Sequence, residues 1–201
     1  MRLKRTIFPC LFILVASLSA FSQQKIPNDL EITLQRTRCF GWCPSYSLTI
    51  HSDGTVRFIP LSDFAYIGKG EIPRFPLEGS VTAGQLLVLL SEFEKIRFHS
   101  LSRRYGSDEY KRSANCPRVS TDSPSAEVTI VKAGKRKTVS HYLGCSGSQI
   151  LKDLTALENK IDEIANSKQW SSQFGWGRAN VVDLKLKVNP AKPKVPKDPG
   201  N

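Results

Sequence analysis

A chain of 201 residues that is 40% hydrophobic and 23% charged has ordinary globular composition, which excludes the disordered and the multi-span membrane classes. Its length allows one domain plus appendages, since a single core of 100 to 150 residues is readily buried. Its 29 basic and 18 acidic residues give +11, which would suit nucleic acid, a lipid surface or an acidic polysaccharide if the excess lay on the folded body.

Residues 1–22 read as a secretory signal peptide. Arg2, Lys4 and Arg5 form a basic start, Ile7 to Ala20 an apolar run, and Ala20-Phe21-Ser22 a small-residue cleavage site, with the cut expected between Ser22 and Gln23. The run is shorter than the roughly 20 residues a spanning helix needs. Cleavage would lower the charge from +11 to +8 and leave an exported protein, periplasmic or extracellular, without a transmembrane segment. Residues 23–29 form a polar leader.

Export changes how the cysteines read. Cys39, Cys43, Cys116 and Cys145 remain, an even number in an oxidising space, and two disulfides are expected. Of the three connectivities, Cys39 with Cys43 and Cys116 with Cys145 is preferred, because Gly41 and Pro44 favour a corner that brings the first two α-carbons together. Crosswise pairing competes with it.

The first element is a strand from Leu30, where Leu30, Ile32 and Leu34 alternate with polar residues. Continued, this parity turns Arg36 inward, where a guanidinium requires a partner. After the corner, Tyr46, Leu48 and Ile50 alternate in the same way, and Asp53-Gly54 turns the chain into Thr55 to Ile59, a strong hairpin signal. A weaker strand is expected between Phe64 and Glu71, completing an antiparallel meander.

Thr82 and Gln85 then form a capping box ahead of Leu86, Leu89, Leu90, Phe93 and Ile96, whose spacing predicts a helix over 82–97. Residues 98–124 lose all periodicity, and Cys116 is expected to tie that segment down. A second hairpin pairs Ala126 to Val131 with Thr138 to Leu143 across Ala133-Gly134. Its tip carries Lys132, Lys135, Arg136 and Lys137, read first as a solvated turn that blocks edge pairing and second as a polyanion contact. Ser146 and Gln149 suggest another capping box, before a helical face from Ile150 to Ile164.

Trp170, Phe174 and Trp176 offer aromatic packing against the body, and Val181 to Val188 an edge strand. Residues 177–201 form a basic Pro/Lys-rich tail: Pro190, Pro193, Pro196 and Pro199 interleave with Lys192, Lys194 and Lys197, which favours extended polyproline conformation. Five lysines against Asp198 put +4 on Leu184 to Asn201. The body is therefore only mildly basic, and nucleic acid is not expected as its partner.

No constellation carries a catalytic signature. His51, His99 and His141 lack the i, i+4 spacing of helical metal ligands, and neither a phosphate loop nor a nucleophile elbow is present. No metal or cofactor is expected. The C-x3-C spacing of Cys39 and Cys43 differs from the C-x-x-C of redox centres, and four-cysteine zinc binding is disfavoured because the second pair is 29 residues apart.

The run Arg36-Thr37-x-Cys39-Phe40-Gly41-x-Cys43-Pro44-x-Tyr46-x-Leu48-x-Ile50, followed by Asp53-Gly54-x-Val56-x-Phe58, resembles the signature of a bacterial domain family of unknown function found in exported proteins. Thr121-Asp122, His141-Tyr142, Leu157-Glu158 and Ile161-Asp162 resemble its later half, so the likeness spans about Leu30 to Ile164. It implies a stand-alone α+β module and hands over no activity, substrate or catalytic residue. Within it, Arg36 is expected to be held by Asp122.

The resulting expectation is a single α+β domain over 30–176, an antiparallel sheet of about six strands with two helices packed on one face, in the order ββββ-α-ββ-α. Its leading function is that of a noncatalytic exported module binding a protein or an envelope component through the Phe98 to Pro124 loop and the basic tail. The alternatives are a periplasmic enzyme or thiol protein using Cys39 and Cys43, and attachment of the tail to anionic lipid or wall polymer.

Overall fold

The computed structural model describes residues 25–41, 43–61, 65–66, 74–106 and 112–175. Three strands open the fold: β1 (Glu31–Arg36), β2 (Tyr46–His51) and β3 (Thr55–Pro60). They pair antiparallel with Ile32 opposite Ile50, Leu34 opposite Leu48 and Leu48 opposite Phe58. Each of these side chains is buried, so the alternation in sequence becomes one continuous apolar face. At the β2–β3 turn Gly54 has φ +85°, and a Cβ there would lie 2.3 Å from the Val81 carbonyl oxygen, a closeness only glycine tolerates. Asp53 accepts from the Thr55 backbone N–H at 2.8 Å, and that bond holds its carboxyl below the usual range.

β4 (Ala65–Tyr66) does not extend this meander. It pairs with β11 (Phe174–Gly175) in a separate two-stranded ladder, and the rest of the expected Phe64 to Glu71 strand lies outside the described residues. The fourth meander strand is instead β5 (Leu77–Ser80), which pairs with β3. Periodicity could not reveal it, because Leu77-Glu78-Gly79-Ser80 offers one apolar side chain.

α1 (Ala83–Lys95) follows with the expected cap: the Gln85 N–H donates to Thr82 Oγ1 at 3.2 Å and the Thr82 N–H to Gln85 Oε1 at 2.7 Å. Leu86, Leu89, Leu90 and Phe93 are its buried face. In the segment read as aperiodic, the described residues form a 3-10 turn (Phe98–Ser100), β6 (Arg104–Tyr105) and β7 (Arg118–Val119). These pieces are too short to carry a period.

β8 (Ser125–Lys132) and β9 (Lys135–Tyr142) make the second hairpin, with Ala133-Gly134 at the expected turn, and β8 lies against β1. Its turn is capped from afar, since the backbone N–H groups of Ala133 and Gly134 donate to Asp29 at 3.0 and 2.6 Å. The Gly134 bond leads in holding the Asp29 carboxyl below its ordinary value. The main sheet runs β5-β3-β2-β1-β8-β9-β6, antiparallel except for β6 against β9.

β10 (Cys145–Ser146) pairs with β7, and the Cys116–Cys145 disulfide braces that small ladder with α-carbons 5.0 Å apart. Ser146 is consequently a strand residue and not a helix cap. α2 (Gln149–Ala165) begins after Ser148, which makes no side-chain capping bond, and ends at Asn166 in the left-handed conformation with φ 51°. A short α3 (Lys168–Ser171) then folds Trp170 over the sheet, its ring centroid 5.4 Å from that of Phe58. Both main helices lie on the apolar face. The fold is therefore α+β with a mostly antiparallel sheet and two principal helices.

Candidate functional site

Two features meet where β1 ends: an exposed disulfide corner and, directly before it, a buried charge cluster. The described residues of the corner are 37–41 and 43–45. The Thr37 N–H donates to the Ser125 carbonyl at 2.9 Å, and the Ser125 N–H returns a bond to Thr37 Oγ1 at 2.8 Å. One residue pair later, the Phe40 N–H donates to the Asp122 carbonyl at 3.1 Å. The Cys39–Cys43 disulfide closes the turn with α-carbons 5.5 Å apart, and Gly41 takes φ +143° to make the bend. Pro44 is exposed and leads into buried Ser45 and Tyr46 at the start of β2.

Phe40 sits at the tip of this pinned corner. It is 89% exposed, against 46% for Val88 and 39% for Ile59, the other exposed large hydrophobics among the described residues. A scattered apolar side chain on a surface is ordinary. An aromatic displayed almost entirely to solvent on a backbone fixed by a disulfide and cross-chain hydrogen bonds is less so.

The cluster lies beneath. Arg36 turns inward as parity requires, but its partner is on α2: Nε donates to Asp162 Oδ2 at 2.7 Å and an Nη donates to Asn159 Oδ1 at 3.1 Å. A Glu158 carboxylate oxygen stands 3.9 Å from the guanidinium. Asp122 is a different kind of residue. It occupies the left-handed region with φ 63°, is exposed, and accepts a bond from Thr121 Oγ1 at 2.9 Å. The expected Arg36–Asp122 pair does not form because the segment 121–124 is a bend outside β8, while α2 crosses directly over β1. What Asp122 supplies to the corner is its backbone carbonyl.

Asp162 is shared. The Tyr46 hydroxyl and the Ser167 hydroxyl each donate to its Oδ1 at 2.6 Å. Burial, reinforced by the Asp162 charge, pushes the Tyr46 phenol far above its ordinary value. For Arg36, burial is the largest influence and opposes the charge, yet the charges of Asp162, Tyr46 and Glu158 and the hydrogen bond to Asp162 together outweigh it and raise the guanidinium. Deeper still, His141 Nδ1 and Glu158 Oε1 are hydrogen-bonded at 2.8 Å, with both residues no more than 1% exposed. His141 Nε2 and the second Glu158 oxygen have no hydrogen-bond partner among the described residues.

Alternation on β9 puts His141 on the same face as Val139, and Glu158 falls within the α2 stripe of Leu151, Leu154, Leu157 and Ile161. A carboxylate at a core position is the signal that could have identified Arg36's side of the cluster from sequence. With Arg36 and Asp162 they form a clasp that ties β1 and β9 to α2, and Glu158 and His141 are closed to solvent.

The other candidate residues disperse. His51 is near Glu31 on the outer face at 3.9 Å. At the β8–β9 tip, Lys132 pairs with Glu94 at 2.9 Å and the Lys137 ammonium donates to the Leu101 carbonyl, leaving Lys135 and Arg136 as the exposed cations. Lys192, Lys194 and Lys197 lie outside the described residues, as do Trp176 and the Val181 to Val188 segment. No group of three or more His, Cys, Asp or Glu able to hold a metal ion occurs among the described residues, and no described helix is long and apolar enough to cross a membrane.

Among known proteins, no curated protein matches the chain. The match is to a family model covering residues 30–165, which takes in β1 through the end of α2 and so includes the corner, both disulfides and every member of the clasp except Ser167. By that match the chain belongs to the family described as Domain of unknown function (DUF6438).

Proposed function

We propose that this protein is an exported, noncatalytic binding module of the cell envelope that engages its partner through the Cys39–Cys43 corner. The observation carrying this reading is Phe40, 89% exposed at the tip of a disulfide-closed turn. Burying such a side chain in a partner is worth about 1.5–3 kcal/mol, and a pre-ordered backbone lets most of it appear as affinity. Aromatic anchors of this kind dominate interface energetics.

Export is supported by the basic and apolar start of the chain and by two disulfides, which persist in oxidising compartments. The thiol reading is disfavoured because all four cysteines after the signal peptide are paired.

The test uses the mature chain from Gln23 and its Phe40→Asp variant, each incubated with sedimented cell envelope from a bacterium that produces the protein. The wild type should pellet with the envelope and the variant should remain in solution, with melting temperatures that agree. Equal pelleting of the two refutes the role of the corner. Titration of the unreduced native protein with a thiol reagent should find no free cysteine; a reactive thiol at Cys39 or Cys43 would favour redox chemistry instead.

A further inference from the structure

A groove of about 320 Å³ opens between the end of α1, the 3-10 turn and β8, well away from the corner. Its floor is apolar: Leu90 and Phe93 from α1, Phe98 from the turn and Ile130 from β8, all buried. Phe93 and Phe98 meet edge to face with centroids 4.9 Å apart, which makes a firm aromatic wall. The volume is at the small end of the roughly 300–1,000 Å³ typical of sites for small organic ligands.

The rim is charged, and its charges are unequally satisfied. Lys132 and Glu94 neutralise each other at 2.9 Å. Arg97 also lines the groove and has no side-chain partner among the described residues. Its backbone is in the left-handed region at φ 51°, directly after the Ile96 cap of α1. Glycine or asparagine normally occupies this position, because a Cβ crowds the following carbonyl there. Proximity to the helix C-terminus favours any cation, but a cation one residue earlier would gain as much without the strain. Strained backbone held at a concave site is a mark of function.

We propose that this groove binds a single-chain amphiphile with a carboxylate head, its hydrocarbon over Leu90, Phe93, Phe98 and Ile130 and its head on the Arg97 guanidinium. One guanidinium, exposed and without a side-chain partner among the described residues, matches one negative charge. An exported protein meets such molecules wherever envelope lipids turn over. The proposal is independent of the Phe40 corner, so either can fail without the other.

Calorimetric titration of the mature protein with dodecanoate below its micellar concentration tests it, with dodecyltrimethylammonium as the matched cation. Dodecanoate should saturate one site and the cation should bind at least about tenfold more weakly; octanoate, four methylenes shorter, should also be at least about tenfold weaker. Arg97→Gly separates binding from folding. It relieves the left-handed strain, so its melting temperature should equal or exceed that of the wild type, while dodecanoate affinity falls by about tenfold or more, the loss of one charge-assisted contact. Absence of dodecanoate binding to the wild type, equal binding of the cation, or full affinity in Arg97→Gly would each overturn the assignment.

Discussion

Arg36 Nε donates to Asp162 Oδ2 at 2.7 Å across 126 residues of chain, so the first strand and the last long helix are held by one ion pair. Side-chain exposures of 15% and 19% place it near the limit of burial, and the Tyr46 and Ser167 hydroxyls complete the shell of the carboxylate. This clasp lies directly under the corner that presents Phe40. It fixes the base on which a binding surface can be rigid.

Breaking one side of the clasp should cost most of what removing both does. Arg36→Met or Asp162→Asn alone leaves a charge partly buried without its partner, and urea unfolding should show a loss of about 3 kcal/mol for each. The double variant should lose less than the sum of the two, by roughly 1–3 kcal/mol. Additive losses would mean that the pair is a surface contact.

The phenol of Tyr46 gives the clasp a pH signature. Its folded pKa is raised, so the stability it contributes is complete below the unfolded value, about 10, and declines as pH rises through and beyond it, because the unfolded chain releases the proton first. Unfolding measured between pH 9 and 11 should fall more steeply for the wild type than for Tyr46→Phe. Parallel slopes would show that the hydroxyl does not serve Asp162.

The two main helices should respond differently at their starts. Thr82→Ala removes a formed cap and should cost about 1 kcal/mol, whereas Ser146→Ala should stay within about 0.5 kcal/mol, since Ser146 is in β10. Equal losses would place a cap at Ser146 after all. This contrast also measures what was legible in the chain. Both sites read as S/T-x-x-Q, but at Ser146 the adjacent Cys145 is bonded to Cys116, and that bond draws the residue into a strand pair with Arg118.

Trp170 closes the far edge of the core. A Cβ on Gly79 would lie 2.8 Å from the Trp170 ring, so Gly79→Ala must displace the indole from Phe58 and should cost about 1–3 kcal/mol by overpacking. Trp170→Ala should cost about 3–5 kcal/mol through the cavity it leaves. Thermal melts of both variants check the assignment, and a neutral Gly79→Ala would contradict the tight contact.

Local rules made the strands with clear alternation and both helices legible, along with the two hairpins, because their signals are carried by neighbouring residues. Leu77–Ser80 was hidden because an edge strand needs only backbone to pair, and β6 and β7 because two residues have no period. The partner of Arg36 was hidden for another reason. Parity showed that the guanidinium points inward, yet the choice between Asp122 and Asp162 depends on where α2 crosses the sheet, a tertiary fact. Glu158 in the stripe of Leu154 and Ile161 was the clue that the inward polar side chains of β1 and β9, Arg36 and His141, would be met by a helix.

Binding through the disulfide corner is tested most directly by photocrosslinking in the producing cell. A benzophenone amino acid replaces Phe40 in one strain and Val88, the next most exposed large apolar residue among those described, in another. One discrete adduct is expected from position 40, absent from position 88 and lost when Cys39 and Cys43 are both changed to Ser. No adduct at position 40, or the same adducts from both positions, would contradict it.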